Sequence, residues 1–201
     1  MEPVAQGDFP GTPFEVITFD HHTDVLPGGV TAIPGDWQDP EKTASAVQKL
    51  RHDEHLDWAV KSGLARKVKV FSHVNATTPA DVRIKVLCDP TWPDEFTQLN
   101  QPECFKVLAE IFLDDRHLDK FPAALPERPF ILDLDCDGFL CRKALHPEQN
   151  RHWKSLLKNA SGLTISRESD YVRLLAIKED PPITDQWIID TVFRQITELA
   201  L

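Results

Sequence analysis

The sequence predicts an α/β domain of three layers, in which helices cover both faces of a central, mainly parallel sheet. Segments with the pattern of strands alternate along the chain with segments of helical spacing, which is typical of sheets built from strand–helix–strand units. Residues 130–134 are almost continuously apolar, as strands buried on both faces are. We expect residues 1–201 to form one domain, because this length supports a substantial core, with the Pro/Gly-rich residues 1–13 as a flexible arm.

The elements of the first half of the chain follow in order. Residues 14–19 predict a strand, because a run of β-branched and aromatic residues precedes a loop at residues 26–40 that contains three Gly and three Pro. Residues 41–62 predict a helix, since apolar residues recur at helical spacing and a glycine, a common helix stop, follows. Residues 67–72 and 82–87 predict two strands, because apolar and charged residues alternate in both.

The second half of the chain continues this alternation. The predicted strands are residues 130–134 and 162–165, and the predicted helices are residues 102–113, 148–160, 169–175 and 185–199. Each of these helices has apolar residues three and four positions apart. Thr184 is expected to cap the last helix, because its hydroxyl can accept a hydrogen bond from a free backbone N–H group. Residues 94–100 predict either a short helix or a loop.

The first strand ends in an alternating acidic motif. Asp20, His22 and Asp24 follow the apolar run of residues 14–19. On an extended backbone, residues two positions apart point to the same face. These side chains are therefore expected to converge at the carboxyl end of the strand, where open α/β sheets bind their ligands. Two carboxylates and one imidazole suit a divalent metal of the Mn, Zn and Fe group, and His21 is expected to point away from it.

A second acidic cluster follows the apolar strand at residues 130–134. Asp133, Asp135 and Asp137 alternate in the same way, and Gly138 comes directly after them. The position of Gly138 favours Asp135 and Asp137 as the metal-binding pair, with Asp133 as a deeper alternative. A solvated strand end is the other interpretation of this run. Two such clusters in one chain predict two metal ions rather than one.

The composition narrows the class of protein. The net charge of −10 disfavours binding to nucleic acid, whose phosphates require Lys and Arg. It is compatible with a cationic substrate and equally with a role in solubility. No apolar run has the length of a membrane helix and no secretory signal is recognisable, so we expect a cytoplasmic protein without a membrane partner. The four cysteines form no CxxC pair and are expected to be reduced thiols.

These motifs resemble those of the arginase and agmatinase superfamily. The segment Asp20-His21-His22-Thr23-Asp24 is similar to the family's Asp-Ala-His-Thr/Ser-Asp motif, and Leu134-Asp135-Cys136-Asp137-Gly138 is similar to its Ser-Phe-Asp-x-Asp-Gly motif. Residues 52–64 resemble the family's helix that opens with a catalytic His. Residues 163–168 resemble its strand that ends in a Glu facing the guanidinium group. The resemblance spans roughly residues 14–170.

The resemblance implies an arginase-like fold and an enzyme that hydrolyses a guanidinium group to an amine and urea with two Mn²⁺ ions per chain. The metal ligands that it implies are Asp20, His22, Asp24, Asp135 and Asp137. Asp24 would also pass a proton to the departing amine, His52 would shuttle protons to solvent, and Glu168 would orient the guanidinium. His52 and Glu168 also fit ordinary surface positions, and both interpretations stay open.

The chain departs from the family in two ways. It is much shorter, and no histidine precedes His21, whereas the family has an earlier histidine ligand. His55, one turn after His52 on the same predicted helix, is the candidate replacement. A short chain has little room for loops that hold the α-amino and α-carboxylate groups of free arginine. It looks most like the compact peptide arginases, which convert arginine residues of ribosomal precursor peptides to ornithine, so the expected partner is an arginine-containing precursor peptide.

Three other functions stay open. Residues 133–138 resemble the nucleophile loop of haloacid-dehalogenase-like phosphatases, although Phe139 stands where that loop has Thr or Val and the motif that begins at Asp20 is left unexplained. A zinc deacetylase of the related histone-deacetylase-like fold would place Asp, His and Asp around one metal. A non-enzymatic binding module is the third alternative, and the cost of burying acids without a metal counts against it.

Overall fold

Five parallel strands form the central sheet of the protein. They are β1 (Phe14–Asp20), β2 (Ala65–Ser72), β3 (Ile84–Leu87), β4 (Phe130–Asp135) and β5 (Gly162–Ser166). Their order across the sheet is β3–β2–β1–β4–β5. This computed structural model describes residues 14–33, 35–74, 77–92, 102–121, 126 and 129–200. The predicted arm at residues 1–13 and the segment 94–100 lie outside the described residues.

Seven helices accompany the sheet in the described part of the chain. They are α1 (Pro40–Val47), α2 (His55–Ser62), α3 (Pro102–Glu110), α4 (Asp115–Leu118), α5 (Arg151–Asn159), α6 (Ser169–Leu175) and α7 (Asp185–Leu199). Thr184 caps α7 as predicted, because its Oγ1 accepts a hydrogen bond of 3.1 Å from the backbone N–H of Trp187. Every described helix is too short or too polar to span a lipid bilayer.

Apolar side chains pack on both faces of the sheet. On one face, side chains of β1, β2 and β4 pack against α3, α5 and α7, and the buried residues there include Phe19, Phe71, Leu132, Phe105, Trp153 and Val192. On the other face, α2 covers β2 and β3 through Leu56, Val60, Val68, Val70 and Ile84. The prediction of a three-layer α/β/α fold with a parallel sheet is therefore confirmed.

The strand order creates a crevice between β1 and β4. The chain passes from β1 to β2 and β3 on one side of the sheet, and then returns to β4 on the other side of β1. At such a switch point, the connections that leave two neighbouring strands diverge and leave a gap at their carboxyl ends. The two acidic motifs follow β1 and β4, so the topology brings both of them to this gap.

The predicted helix at residues 41–62 is two helices, α1 and α2, joined by a turn. The turn is held from outside, because the carbonyl of Asp53 accepts a hydrogen bond of 2.9 Å from the backbone N–H of Leu26. A hydrogen bond inside the turn also stabilises it, since the carboxylate of Glu54 accepts a hydrogen bond of 3.1 Å from the backbone N–H of Arg51. The apolar residues of the two helices continue at helical spacing, so the pattern alone does not reveal the break.

The other boundaries differ by a few residues. The predicted helix at 102–113 ends at Glu110, and α4 lies in a segment for which no helix was predicted. Asp114 caps the start of α4, because its side chain accepts a hydrogen bond of 3.0 Å from the backbone N–H of Arg116. A single turn of this kind is too short to produce a periodic apolar pattern.

Candidate metal centre

The ends of β1 and β4 place their acidic side chains in one row. Phe19 pairs with Leu134 in the sheet. The residues that follow them, Asp20 on β1 and Asp135 on β4, therefore lie side by side at the carboxyl edge. Both are buried, with 1% and 8% of their surface exposed. Asp135 in turn pairs with Ser166 of β5. The predicted convergence of the two motifs is thus present in the structure.

Two sets of three side chains could each hold a metal ion. The first set is Asp20, His22 and Asp137, and the second is Asp20, Asp24 and Asp135. Within each set, one ligand atom from every residue lies within 4.8 Å of the others. Asp20 belongs to both sets, and its two carboxylate oxygens allow it to bind on two sides. Asp20 is thus the residue that the two sets share.

The local backbone that achieves this is a turn, not the extended chain that alternation predicted. β1 ends at Asp20, whose Oδ1 accepts a hydrogen bond of 2.9 Å from the backbone N–H of His22. Asp24 has a φ of 42°, a left-handed conformation that aspartate tolerates better than most residues. Asp137 likewise lies beyond its strand, in a 3₁₀ turn at Cys136–Gly138, and its Oδ2 is 3.3 Å from His22 Nδ1.

Gly138 allows the two acidic segments to approach each other. A Cβ atom built on Gly138 would lie 3.2 Å from the backbone N, Cα and C atoms of Asp20. This is closer than side chains normally approach, and the Asp20 backbone is held in the sheet by its pairing with Ser72 of β2. The absence of a side chain at this position therefore sets the distance between the first and second ligand segments.

Gly138→Ala is expected to weaken metal binding by about 10- to 100-fold, the usual cost of disturbing the residues that support metal ligands. The added methyl group forces the Asp20 backbone or the Asp137 turn to shift by a few tenths of an ångström. Gly162→Ala is the matched control, because its Cβ would meet a single atom, Ile131 Cγ1, at 4.0 Å. Metal titration of both variants tests this, and unchanged affinity in Gly138→Ala would show that the contact relaxes without cost.

Burial and the charges of neighbouring carboxylates raise the pKa of three acids in the cluster. Burial, followed by the charges of Asp135, Asp137 and Asp24, raises the pKa of Asp20 well above its usual value. Burial and the neighbouring carboxylates raise the pKa of Asp135 to about 8. Burial also raises the pKa of Asp24, and the nearby imidazoles of His55, His22 and His52 oppose this rise. The repulsion among these carboxylates is relieved when they bind protons or cations.

The hydrogen-bond pattern fits metal cations. Asp20 Oδ2 and Asp137 Oδ1 are buried and have no hydrogen-bond partner among the described residues. Buried polar atoms are almost always satisfied by a partner, a water molecule or an ion, and these two oxygens belong to residues of the two ligand sets. Carboxylate oxygens and a neutral imidazole are ligands of divalent metals such as Mn²⁺, Zn²⁺ and Fe²⁺. The residues present therefore fit a metal centre.

Asp133 does not reach the cluster. It lies one pleat deeper than Asp135 on the same face of the sheet, beside Thr18 of β1 and Thr164 of β5. Thr18 Oγ1 donates a hydrogen bond of 3.1 Å to Asp133 Oδ2, and Thr164 Oγ1 donates to Asp133 Oδ1. The structure thus separates the three alternating acids: Asp135 and Asp137 face the crevice, and Asp133 is held by two hydroxyl groups behind it.

The turn between α1 and α2 brings His52 to the edge of the cluster. Asp57 of α2 accepts a hydrogen bond of 2.7 Å from the backbone N–H of Gly28, which fixes the loop after β1 against the start of α2. His52 lines the acidic pocket but is itself exposed to solvent. The sequence predicted that His52 lies on a helix, and this was wrong. His52 lies in the turn that precedes α2.

His55, the first residue of α2, is exposed and lies outside both ligand sets. Its Nδ1 is 2.6 Å from the carbonyl oxygen of His52. Because a carbonyl only accepts hydrogen bonds, Nδ1 carries a hydrogen, which leaves Nε2 as the nitrogen through which the ring would bind a metal. Metal-binding histidines usually have this arrangement, and His55 lies close enough to Asp24 to influence the pKa of that carboxyl. His55 is thus in a suitable tautomer for a ligand.

Glu168 and Tyr171 form the opposite wall of the pocket. Both line it, and Ser166 Oγ donates a hydrogen bond of 3.0 Å to Glu168 Oε1. Glu168 has a φ of 42°, and Asp24 is the other non-glycine residue with a positive φ in the described part of the chain. Backbone strain of this kind is concentrated at functional sites, and here both strained residues face the same pocket of about 220 Å³.

Tyr171 is a pocket residue that the sequence motifs did not indicate. It is the single tyrosine of the chain, and 45% of its surface is exposed. Its ring meets that of His22 edge to face, at a centroid distance of 5.6 Å. Tyr171 comes three residues after Glu168, in the first turn of α6, so its position depends on the sharp turn at Glu168.

A pair of buried histidines supports the site from behind. His21 points away from the pocket as predicted and is fully buried, and its Nδ1 is 3.2 Å from Nδ1 of His73. Burial, assisted by the charge of His22, lowers the pKa of His21 to about 4. Burial also lowers the pKa of His73 well below its usual value. Both rings are therefore neutral at pH 7, and one donates its hydrogen to the other.

Comparisons with known proteins assign no family. No protein-family model matches the chain, and no curated protein matches it. The resemblance to the arginase and agmatinase superfamily stays a prediction that rests on the motifs.

Proposed function

We propose that this protein is a binuclear metal-dependent hydrolase that cleaves the guanidinium group of arginine residues in peptides, giving ornithine residues and urea. The observation that carries the proposal is the shared ligand: Asp20 belongs to both sets of metal-binding atoms. Two-metal hydrolases use adjacent ions in this way. The proposed cofactor is Mn²⁺, two per chain, as the resemblance implies.

The residues that would hold the metals are those of the two ligand sets. Asp20, His22 and Asp137 would hold one ion, and Asp20, Asp24 and Asp135 the other, with His55 as a candidate further ligand. When bound, the ions would supply a water molecule that is nucleophilic at neutral pH and would polarise the group under attack.

The lining of the pocket supports a cationic substrate without a free carboxylate. Its described lining residues include six carboxylates but no Lys or Arg: Asp20, Asp24, Asp53, Asp135, Asp137 and Glu168 are the acids. Glu168, which belongs to neither ligand set, can attract a guanidinium group, whereas the α-carboxylate of free arginine would find no Lys or Arg among the described lining residues. An arginine residue within a peptide has no α-carboxylate, so we propose a peptide substrate.

Individual residues take separate roles in the proposed reaction. Glu168 accepts paired hydrogen bonds from the planar guanidinium and orients it, and the exposed ring of Tyr171 offers an aromatic face beside it. Asp24 takes a proton from the water whose oxygen bonds to the guanidinium carbon, and passes it to the amine nitrogen as the C–N bond to the side chain breaks. His52, at the solvent edge, exchanges protons with water. The products are an ornithine residue and urea.

Turnover of matched guanidino compounds tests the proposal. The protein is incubated with Mn²⁺ and with an arginine-containing peptide, with Nα-acetyl-arginine amide and with free arginine. Urea release is measured together with a loss of about 42 Da per arginine, the mass difference between a guanidinium and an amine in this hydrolysis. We expect the peptide and the amide to be hydrolysed at least ~10-fold faster than free arginine, because a single desolvated like-charge contact costs at least 1.4 kcal/mol.

Each other outcome points elsewhere. Fast hydrolysis of free arginine with inert peptides would contradict the peptide substrate and retain the chemistry. Release of acetate from an acetylated amine with one bound Zn²⁺ would favour the deacetylase alternative. Release of inorganic phosphate from a phosphate ester, with no urea from any substrate, would favour the phosphatase. No turnover of any substrate by the metal-loaded protein would favour a binding module.

His52→Ala is expected to lower the rate of hydrolysis by about 10²–10⁴-fold, the usual contribution of a positioned acid–base group, with unchanged metal content. His55→Ala separates a ligand from a bystander, because loss of a ligand reduces bound metal and loss of a surface histidine does not. The readouts are the rate of urea release and metal analysis of both proteins. Unchanged rates in His52→Ala would remove this residue from the proposed proton path.

A further inference from the structure

A second cleft lies away from the acidic pocket, between α5, α7 and the turn at Leu145–Pro147. Its cavity volume is about 510 Å³, against about 220 Å³ for the acidic pocket. The two share no lining residue. A volume of this size is in the range of sites that bind small organic molecules. Nothing in the proposed hydrolysis uses this cleft.

The floor of the cleft is apolar and ordered. Trp153, which is 2% exposed, and Leu157 line one side of the cleft. The indole N–H of Trp153 donates a hydrogen bond of 2.9 Å to Gln195 Oε1, and Gln195 Nε2 donates to the carbonyl of Leu145. Both ends of the Gln195 amide are therefore fixed, and the aromatic ring is held at a defined position in the wall.

An unpartnered hydroxyl group lies in the same cleft. Thr191 of α7 is 1% exposed, lines the cleft, and its Oγ1 has no hydrogen-bond partner among the described residues. A buried hydroxyl is normally satisfied. The hydroxyl of Thr191 can donate as well as accept a hydrogen bond. An oxygen atom of a ligand in the cleft would therefore accept the hydrogen bond that this hydroxyl lacks.

The rim of the cleft is basic in an acidic protein. His146, Lys154 and Arg194 line it together with a single acid, Glu198. In the part of the chain that the structure describes, neither Lys154 nor Arg194 forms an ion pair or a side-chain hydrogen bond. Two other bases nearby are paired with acids, since Lys143 contacts Glu110 and Arg151 contacts Asp119. With 32 acids against 22 bases in the chain, two unpaired cations at one apolar cleft indicate attraction for an anion.

We propose that this cleft binds a small organic anion, with its apolar or aromatic body against Trp153 and Leu157. Its carboxylate or phosphate group would lie between Lys154 and Arg194. Charge-assisted hydrogen bonds from the two cations hold the anion, and Thr191 donates to one of its oxygens. The inference is independent of the proposed hydrolysis, because the residues that carry it contribute nothing to the acidic pocket.

The test compares an anionic probe with a neutral one of the same shape. Phenyl phosphate, phenylacetate and the neutral phenylacetamide are titrated into the purified full chain, and binding is followed by calorimetry. The indole resonance of Trp153 in ¹⁵N NMR spectra locates the site. We expect millimolar or tighter binding of at least one anion and at least ~10-fold weaker binding of phenylacetamide. Tighter binding of the phosphate or of the carboxylate identifies which oxyanion the cleft prefers.

Matched variants connect the binding to the cleft. Lys154→Gln and Arg194→Gln, both at exposed positions, are each expected to lower the affinity for the anion at least ~5-fold. Lys158→Gln is the control, because it removes the same charge from α5 at an exposed position outside the cleft. Equal loss in all three variants, equal affinity for phenylacetamide, or no binding of either anion at about 20 mM would each overturn the proposal.

Discussion

Asp20→Asn is expected to abolish the binding of both metal ions and all turnover. Asp20 is the residue common to the two ligand sets, so a single substitution removes a charged ligand from each. An amide cannot bridge two cations, because only one of its two terminal atoms has lone pairs to donate. The fold should persist, since the hydrogen bond from the backbone N–H of His22 to Oδ1 can be made to the amide oxygen.

The measurement is metal content after desalting, together with urea release and circular dichroism. Asp53→Asn is the matched control, because Asp53 also lines the pocket but belongs to neither ligand set and is paired with Arg51 at 2.8 Å. Wild-type metal content in Asp20→Asn would contradict the shared-ligand geometry. Loss of one ion with retention of the other would show that the two sites are independent.

Asp135→Asn is expected to stabilise the metal-free protein at alkaline pH and to remove its response to metal. The folded pKa of Asp135 is raised to about 8, above the unfolded value, so the folded state holds a proton that the unfolded chain has lost. The stability that this carboxyl contributes is complete below the unfolded pKa of about 4 and is lost as the pH rises through about 8. An uncharged asparagine avoids that loss.

Thermal unfolding between pH 5 and pH 9 measures this effect. With a chelator present, Asp135→Asn should unfold at least ~3 °C higher than the parent protein at pH 9, about the shift that 1 kcal/mol produces in a domain of this size. With Mn²⁺ present the order should reverse, because the metal stabilises only the protein that binds it. The variant therefore gains stability as it loses its site.

Asp133→Asn controls for the loss of an acid from the same strand. Its carboxylate accepts hydrogen bonds from Thr18 and Thr164 and faces neither ligand set. We expect this variant to keep the response to Mn²⁺. If Asp135→Asn destabilised the metal-free protein at every pH, the carboxylate would be a structural hydrogen-bond acceptor and not a member of a crowded anionic cluster.

The sequence predicted the fold class and the meeting of its two acidic motifs, because both depend on patterns that span few residues. The apolar run at residues 130–134 identified a buried parallel strand, and strand ends of parallel sheets share one edge. Alternation predicted the convergence of Asp20, His22 and Asp24 for an incorrect reason, since the strand stops at Asp20 and a turn completes the site. Periodicity does not register a turn of this kind.

Other parts of the site depend on contacts between distant segments. The break before α2 that brings His52 to the pocket is fixed by the hydrogen bond between Leu26 and Asp53, which no local pattern contains. Tyr171 is positioned by the left-handed backbone of Glu168. The position of Gly138 favoured Asp135 and Asp137 over Asp133. The physical reason lies in the contacts of Asp133 with Thr18 and Thr164, because alternation alone places Asp133 and Asp135 on the same face.

The buried pair of His21 and His73 makes the site observable without any substrate. Two ring nitrogens that face each other at 3.2 Å share one hydrogen, and burial shields that hydrogen from exchange with water. Its NMR resonance is therefore expected to persist and to be sensitive to the orientation of either ring. Since His21 stands between Asp20 and His22 in the chain, occupation of the metal centre would shift this signal. The pair is thus a built-in spectroscopic reporter of metal loading.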